Sequence, residues 1–472
     1  MPTTVKRLPS HGCLAEPDLA FHPDRPEDRH VHPLVGLEKY GPYSRATVGQ
    51  VQDPIRVATI SAHGQSAMVA GLLAELESRA TPRERKNYLI DFTGMSRIFG
   101  VRVVEAPRAC RVELSNDLDR DLKQNSNAST VLARRLTEAL SVLECNRTEF
   151  DVVLLALPQR WEHAFQGGAG DDFDLHDYLK AITAARGLPL QIILESSALA
   201  YHCRCSVCWR LAIALYCKAG GVPWKLADTD PDSAFIGLTY AMRAGDEDRR
   251  FVICCSQVFD ADGTGLEFIA YEARDVTFRG KNPYLSRADM RRVMARSLAL
   301  YQRRHAGAVP RRVSVHKSTP FKEEEVEGCF DAWKRVSNIE LVQVQQNTPW
   351  RAVELEGKGK PNRYPCQRGS FLHVTGRDAM LWTQGNLSQT LGKNYYKEGK
   401  GIPSPLMLTR FAGHTAFGVT LRDVLGLTKM DWNNDAIYDR LPVTMGFASV
   451  LARTVKRMPR LSPRPYQIRY LM

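Results

Sequence analysis

The chain has 472 residues, of which 44% are hydrophobic and 25% charged, and its formal net charge is +12. This composition excludes a disordered or fibrous protein, and the length allows two or three domains with cores of their own. The apolar runs are too short to span a membrane, and the first ten residues lack the apolar core of a secretion signal, so we expect a cytoplasmic protein.

The basic charge and the cysteines narrow the class further. A surplus of Lys and Arg favours polyanionic partners, because a protein that binds phosphates must replace their counterions. The eleven cysteines are an odd number at irregular spacing, which favours reduced thiols over a disulfide framework. His202, Cys203, Cys205 and Cys208 offer four zinc ligands in one short loop. Structural zinc sites usually take ligand pairs from separated segments, so the absence of zinc is the favoured interpretation and a zinc site is the alternative.

The first half of the chain alternates strands with helices. Residues 1–50, rich in Pro, His, Asp and Arg, predict an extended lead-in that packs on a neighbouring domain. The hydrophobic pattern then predicts strands at 55–60, 101–104 and 151–157, and helices at 65–79 and 129–143. Buried parallel strands between helices indicate an α/β sheet with a ligand site near the carboxyl ends of its strands. We assign residues 51–230 to this domain.

A helix–strand–helix unit near the middle of the chain predicts a phosphate pocket. Its first helix, over residues 172–187, begins with an Asp cap and ends at a Gly. His176 and Lys180 share one face of its first turns, where free N–H groups and the helix dipole favour anions. Gln191 lies at the beginning of a predicted strand at 189–194, and Lys218 ends a predicted amphipathic helix at 207–218. Two cations, an amide and an imidazole are therefore expected near one point.

The second half predicts three strands in a meander, followed by alternating helices and strands. The predicted strands are 234–241, 251–259, 266–271, 312–317 and 339–345, and the predicted helices are 287–304 and 323–336. Asp260-Ala-Asp-Gly263 predicts a hairpin turn rather than a calcium loop, because the twelfth position is Tyr271 instead of Glu. This order is typical of a ribonuclease-H-type core, to which we assign residues 231–472.

The pocket residues also carry a family resemblance. The His-x-x-x-Lys spacing, Gln191 and the string Ala214-Leu-Tyr-Cys-Lys-Ala-Gly-Gly-Val-Pro-Trp-Lys-Leu226 together resemble the MID domain of short prokaryotic Argonautes. The resemblance covers residues 51–472 and implies an α/β fold in which a Rossmann-like MID domain precedes a ribonuclease-H-like PIWI domain. It implies that His176, Lys180, Gln191 and Lys218 hold the 5′ phosphate of a small guide, expected to be RNA. It further implies that the terminal carboxylate of Met472 helps to bind Mg²⁺ on that phosphate, provided that Met472 is the natural C-terminus.

The same resemblance locates the positions where PIWI nucleases hold catalytic metal ions. Two-metal cleavage needs several carboxylates that converge on two cations. Here Thr239, Ser318 and Ser449 stand where the family carries two Asp residues and a final His or Asp. Neutral hydroxyls cannot hold two divalent ions, so we expect no catalytic metal pair and no cleavage. The alternative is a guide-directed nuclease with rearranged carboxylates, in which Asp260 or Asp262 substitutes.

The remaining expectations concern partners and come from the family. The string Gly399–Leu408 resembles a PIWI loop that follows guide and target backbones, so Lys393, Lys397 and Lys400 are expected to contact the nucleic-acid backbone. Short Argonautes lack N-terminal and PAZ domains and act with a partner that carries an APAZ segment fused to a Sir2, TIR or nuclease effector. We therefore expect a guide RNA and a single-stranded target DNA to switch on such an effector, most readily a NAD-depleting Sir2. The expected outcome is abortive infection, which limits phages and plasmids.

Overall fold

The computed structural model describes residues 9–47, 49–84, 86–167, 172–244, 250–387, 394–396, 401–433, 435–458, 460–462 and 464–472. Across these ranges, none of the helices combines the length and the apolar character that crossing a membrane requires. The chain forms two compact units, and neither is continuous in sequence. The first unit contains residues 19–225, 432–436 and 450–472, and the second contains residues 1–18, 226–431 and 437–449.

The first unit is built on a parallel sheet. Its strands follow the order Val103–Glu105, Ile55–Ser61, Val152–Leu157 and Leu190–Leu194, and Arg111–Glu113 also pairs with Ile55–Ser61. All six residues of Val152–Leu157 are buried, as expected for the middle of a sheet with helices packed on it. The described α-helices of this unit are Pro33–Tyr40, Ser66–Glu75, Met95–Phe99, Asp117–Gln124, Ala128–Glu144, Leu175–Arg186 and Arg204–Lys218.

The second unit is built on a mixed sheet. Nine of its strands follow the order His11–Cys13, Ser370–His373, Asp378–Leu381, Leu406–Ala412, Asn338–Gln345, Arg312–Lys317, Ser233–Ala244, Arg250–Asp260 and Gly265–Glu272. Ser233–Ala244, Arg312–Lys317 and Asn338–Gln345 run parallel, and the other neighbours are antiparallel. Two hairpins lie outside this sheet, Val276–Arg279 with Asn282–Leu285 and Val353–Leu355 with Pro361–Pro365. The α-helices are Arg287–Arg304, Glu323–Ala332, Phe417–Leu427 and the first half of Val443–Arg457.

The predicted α/β fold class is confirmed, and most elements lie where the sequence predicted them. The helix Arg287–Arg304 and the strand Arg312–Lys317 have the predicted bounds. The helix predicted at 172–187 begins later, at Leu175, because the side chain of Asp174 rather than Asp172 accepts the N–H of Asp177.

The lead-in is not extended throughout, which corrects the prediction for residues 1–50. It contains the helix Pro33–Tyr40, which begins with Pro at its first position and with the His32 side chain accepting the N–H of Leu34. Residues 1–18 belong to the second unit, where His11–Cys13 adds a strand to the edge of the sheet, whereas the rest belong to the first unit. A single boundary in the sequence, such as the one between residues 230 and 231, therefore does not separate these two units.

Gly237 marks a close approach between the sheet and a helix in the second unit. A Cβ atom at this position would lie 2.1 Å from the main-chain oxygen of Thr444, in the helix Val443–Arg457. The neighbouring strand contributes His316, whose Nδ1 lies 2.8 Å from the hydroxyl of Thr444. The helix therefore lies against the backbone of the sheet where glycine leaves room for it.

Substitution of Gly237 is expected to destabilise the second unit. Gly237→Ala should lower the free energy of unfolding by about 1–3 kcal/mol, because the helix must shift to accept the methyl group. Gly446→Ala is the matched control, because a Cβ at Gly446 meets no other atom within 4 Å and alanine favours the helix. Urea unfolding followed by circular dichroism measures both. Equal stability of the two variants would contradict this account of the contact.

Candidate anion-binding site

The candidate site lies in the first unit, where one strand and two helices meet. Asp174 caps the helix Leu175–Arg186, and Gly187 ends it in the left-handed conformation, with φ of 67°. This places His176 and Lys180 one turn apart near the N-terminus of the helix. The strand Leu190–Leu194 brings Gln191 beside them, and Lys218 is the last residue of the helix Arg204–Lys218.

A cavity of about 280 Å³ opens between these elements. His176, Lys180 and Gln191 line it, together with Met472 at the end of the sequence. Lys218 reaches the same point, because its Nζ donates to the main-chain oxygen of Met472. The structure therefore brings the four predicted pocket residues and Met472 together.

The two lysines are the most unusual groups in the site. Lys180 is 2% exposed and Lys218 is fully buried. The Nζ of Lys180 donates to the carbonyl of Leu190 at 2.7 Å and to the main-chain oxygen of Met472, which also accepts from Lys218. The amino groups of two lysines therefore share one oxygen.

Burial is the largest cause of the pKa shifts of both lysines. It lowers the pKa of Lys180 well below the ordinary value, and the positive charge of Lys218 lowers it further. Burial also lowers the pKa of Lys218, to about 8. Two buried lysines this close favour the binding of an anion, which would stabilise the charged form of both. The cavity is therefore suited to a phosphate or a similar dianion.

His176 stands at the exposed side of the site. About half of its side chain is exposed, and its Nδ1 lies 3.7 Å from a carboxylate oxygen of Asp177. Burial raises the pKa of Asp177, but the hydrogen bond from His176 and the charge of Arg453 outweigh it, so the net shift is downward. The Nε of Arg453 donates to Asp177 at 2.9 Å. Lys456 and Arg457 likewise contact Asp172, so ion pairs join the C-terminal segment to the start of this helix.

Potential metal ligands cluster at one place in the described ranges. The ligand atoms of Asp174, His176 and Asp177 lie within 4.8 Å of one another, and no other described group of three or more does so. The loop considered for zinc forms no such group: His202 pairs with Glu84 at 3.2 Å, and the Sγ of Cys205 donates to the carbonyl of Ile90.

Sequence reasoning missed three polar residues that line the cavity, Ser197, Arg210 and Asn433. The guanidinium of Arg210 lies 6.0 Å from the centre of the Tyr201 ring, and its Nε donates to the carbonyl of Ser206. Arg210 lies about two turns before Lys218 on the same helix, and this spacing could have predicted that it lines the cavity. Asn433 belongs to a segment far away in sequence, and no local pattern indicates its position.

Two of the three hydroxyl positions lie side by side in the second unit. Thr239 and Ser318 directly follow Leu238 and Lys317, the last residues that pair between two parallel strands. Thr239 is half-buried, and Ser318 is exposed with its carbonyl accepting from Gln343. Ser449 lies in the helix Val443–Arg457, but its side chain is outside the described residues, as are Lys393, Lys397 and Lys400.

The alternative carboxylates lie at the other end of the sheet. In the pairing of Ser233–Ala244 with Arg250–Asp260, Asp260 lies opposite Ala234, whereas Thr239 lies opposite Cys255. Five residues of extended strand separate the two pairs, which corresponds to about 16 Å. An oxygen of Asp262 accepts the N–H of Thr264 at 2.9 Å and closes the turn, so the predicted hairpin turn is confirmed.

Comparisons with known proteins identify the fold. No protein-family model matches the sequence, and no curated protein matches it. Among solved structures, Clostridium butyricum Argonaute bound to a guide DNA and a 19-mer target DNA is 17% identical, with a TM-score of 0.64 over 95% of this chain and 53% of that one. Aa-Ago with externally bound siRNA is 15% identical, with a TM-score of 0.62 over 98% of this chain and 56% of that one. Aquifex aeolicus Argonaute is 14% identical, with a TM-score of 0.58 over 98% of this chain and 57% of that one.

The chain therefore has the mixed α/β fold of the MID and PIWI domains of Argonautes. It spans a little over half the length of the Argonautes it matches. At these identities the likeness shows the fold alone.

The buried lysines predict that anion binding weakens as the pH rises. Sulfate keeps its charge between pH 7 and pH 9, whereas Lys218, with a pKa of about 8, changes from mostly charged to mostly neutral. Sulfate affinity should fall by at least about tenfold over this range, because binding must then drive proton uptake. Calorimetry in buffers of different ionisation enthalpy measures the affinity and the protons taken up.

The unliganded chain should show the opposite trend in stability. Between pH 8 and the ordinary lysine pKa, the unfolded chain binds more protons than the folded chain, so folding stability rises with pH.

A sulfate affinity that stays constant from pH 7 to pH 9 would contradict the assignment of the two lysines to the site.

Proposed function

We propose that the chain is a guide-binding, non-cleaving Argonaute-like protein. Its cavity would hold the 5′ phosphate of a short guide, expected to be RNA, and base pairing would then select a single-stranded DNA target. The observation that carries this proposal is the pair of buried lysine amino groups, those of Lys180 and Lys218, at one cavity. The fold supports it, since one of the matched Argonautes is described with a guide DNA and a target DNA.

Each residue of the site has a role in this proposal. Lys180 and Lys218 neutralise the phosphate, and the N–H groups at the start of the helix Leu175–Arg186 add donors. His176, at the exposed side, donates to a phosphate oxygen from its imidazole. Gln191 fixes the orientation of the phosphate through its amide. Because sequence is then read by base pairing, the protein needs only to hold the backbone, as in other guided systems.

The donor set also fits a magnesium ion on the bound phosphate. Mg²⁺ is commonly held by one or two protein oxygens together with phosphate oxygens and water. The main-chain oxygen of Met472, which lines the cavity, would be the protein ligand. When bound, the ion would neutralise phosphate charge that the lysines leave uncompensated.

The second unit supports target recognition without cleavage in this proposal. Thr239 and Ser318 offer neutral hydroxyls at neighbouring strand ends, where a metal pair requires carboxylates. Asp260 and Asp262 lie at the far end of the same sheet, as the strand register requires. Lys393, Lys397 and Lys400 would follow the nucleic-acid backbone.

The output of recognition would come from a partner protein. The resemblance to short Argonautes supports a cytoplasmic partner with an APAZ segment and an effector domain. A Sir2 domain that depletes NAD is favoured over a TIR domain or a nuclease. Target binding would activate this effector, and the resulting abortive infection would limit phages and plasmids.

The pocket is tested by comparing guides that differ only at the 5′ end. The wild-type chain should bind a 5′-phosphorylated RNA at least about tenfold more tightly than the same RNA with a 5′ hydroxyl, since charge-assisted hydrogen bonds contribute about 1.5–3 kcal/mol. Lys218→Met should remove this preference and leave the affinity for the 5′-hydroxyl RNA unchanged. Methionine keeps the length of the buried side chain, so the fold should be retained.

Lys123→Met is the control for this comparison, because Lys123 lies on an exposed face of the same unit. Filter binding at several salt concentrations measures the affinities, and the salt slope should become shallower by about 0.7 only for Lys218→Met. Equal preference for the phosphate in both variants would remove the basis of the proposal.

The absence of cleavage is tested with the loaded protein. Purified chain, guide and complementary DNA, incubated with Mg²⁺ or Mn²⁺, should leave the DNA intact, because the neighbouring strand ends offer hydroxyls only. Specific cleavage that Asp260→Asn or Asp262→Asn abolishes would establish the alternative, a nuclease with rearranged carboxylates.

A further inference from the structure

One hairpin of the second unit exposes apolar side chains that neither the cavity nor the hydroxyl positions use. It consists of Val353–Leu355 paired with Pro361–Pro365, outside the large sheet, and we call it the apolar hairpin. Trp350, just before it, is 55% exposed, and Val353 and Leu355 are 42% and 58% exposed. A two-stranded hairpin is only marginally stable in water, and clustered exposed apolar residues indicate a binding surface.

Basic residues accompany these apolar residues along the hairpin and the segment before it. Arg351, Lys360 and Arg363 are exposed, and none of them forms an ion pair with a carboxylate of the described residues. The guanidinium of Arg351 donates only to the nearby carbonyls of Thr348 and Trp350. Of the two acids on the hairpin, Glu354 accepts from Asn386, and Glu356 is exposed. Three exposed basic residues therefore stand against two acids; we call these basic residues, Arg351, Lys360 and Arg363, the rim.

The backbone of the hairpin is also unusual. Arg363 has φ of 72°, in the left-handed region that side-chain-bearing residues seldom adopt. Such conformations cost free energy and are concentrated at functional sites. In the apolar hairpin this conformation occurs at one of the three rim cations.

We propose that the apolar hairpin is the docking surface for a partner protein whose contacting face is apolar and ringed by carboxylates. Aliphatic Val353 and Leu355 favour a protein over nucleic acid, which would need stacking aromatics across the patch. The basic rim disfavours a second copy of this chain, because like charges would face each other. The inference rests on the proposed function, which requires such a partner, and it adds the place of contact.

The test uses the full chain co-expressed with the protein encoded by the neighbouring reading frame. In one variant, Trp350→Ser is combined with Leu355→Ser, and in a second, Arg351→Glu is combined with Lys360→Glu. Each should lower partner affinity by at least about tenfold, and the charge variant should also reduce the salt dependence of association. The matched control combines Phe278→Ser with Arg279→Glu and Lys281→Glu on the hairpin Val276–Arg279 with Asn282–Leu285, where Phe278 is 46% exposed.

A photocrosslinking residue at Leu355 gives an independent readout. It should crosslink to the partner, whereas the same residue at Phe278 should not. Circular dichroism and guide affinity confirm that each variant is folded. If the wild-type chain binds the partner and both apolar-hairpin variants bind it equally well, the inference is wrong while the proposed function stands. If the variants lose guide or target affinity instead, the hairpin is a nucleic-acid contact. If the wild-type chain binds no partner, the inference fails together with the partner activation in the proposed function, whereas guide binding is decided by the comparison of 5′-phosphate and 5′-hydroxyl RNA.

Discussion

Two buried lysine amino groups that share one main-chain oxygen are the constraint on which the first unit depends. Lys180 and Lys218 come from different helices, and Met472 comes from the end of the sequence. Buried charges are tolerated only when they are paired and hydrogen-bonded, so the C-terminal segment must reach this point. Ion pairs from Arg453, Lys456 and Arg457 to the start of the helix Leu175–Arg186 also hold the C-terminal segment against this helix. The segment that ends the sequence is therefore part of the wall of the candidate site.

This constraint also explains why the units are discontinuous. The helix Val443–Arg457 begins in the second unit, where Gly237 allows its backbone to approach the sheet, and its second half belongs to the first unit. Residues beyond it supply Met472 to the cavity. A domain assignment that cuts the sequence once places the C-terminal segment with the sheet of the second unit. The contacts of Lys180 and Lys218 place it with the first.

The sequence predicted the features that local patterns encode. Apolar periodicity located the helix Arg287–Arg304 and the strand Arg312–Lys317, and helix spacing with a family resemblance located His176, Lys180, Gln191 and Lys218. It missed what depends on long-range contacts. Asp172 and Asp174 are equally good caps by residue type, but in the structure Asp174 caps the helix while Asp172 pairs with the distant Lys456 and Arg457. Asn433 reaches the cavity through tertiary structure alone. The apolar hairpin has strands too short for a period to appear.

Under the proposed function, a protein that binds without cleaving can signal only through differences in binding free energy. Target recognition changes the partner only if the partner binds the target-loaded chain and the free chain with different affinities. Because this coupling is reciprocal, the partner must change the affinity for target by the same factor. Replacing carboxylates by hydroxyls such as Thr239 and Ser318 fits this requirement, since cleavage would destroy the bound state that carries the signal. Under the proposed function, hydroxyls in place of metal-binding carboxylates and a docking surface for a partner would be two consequences of one mode of action.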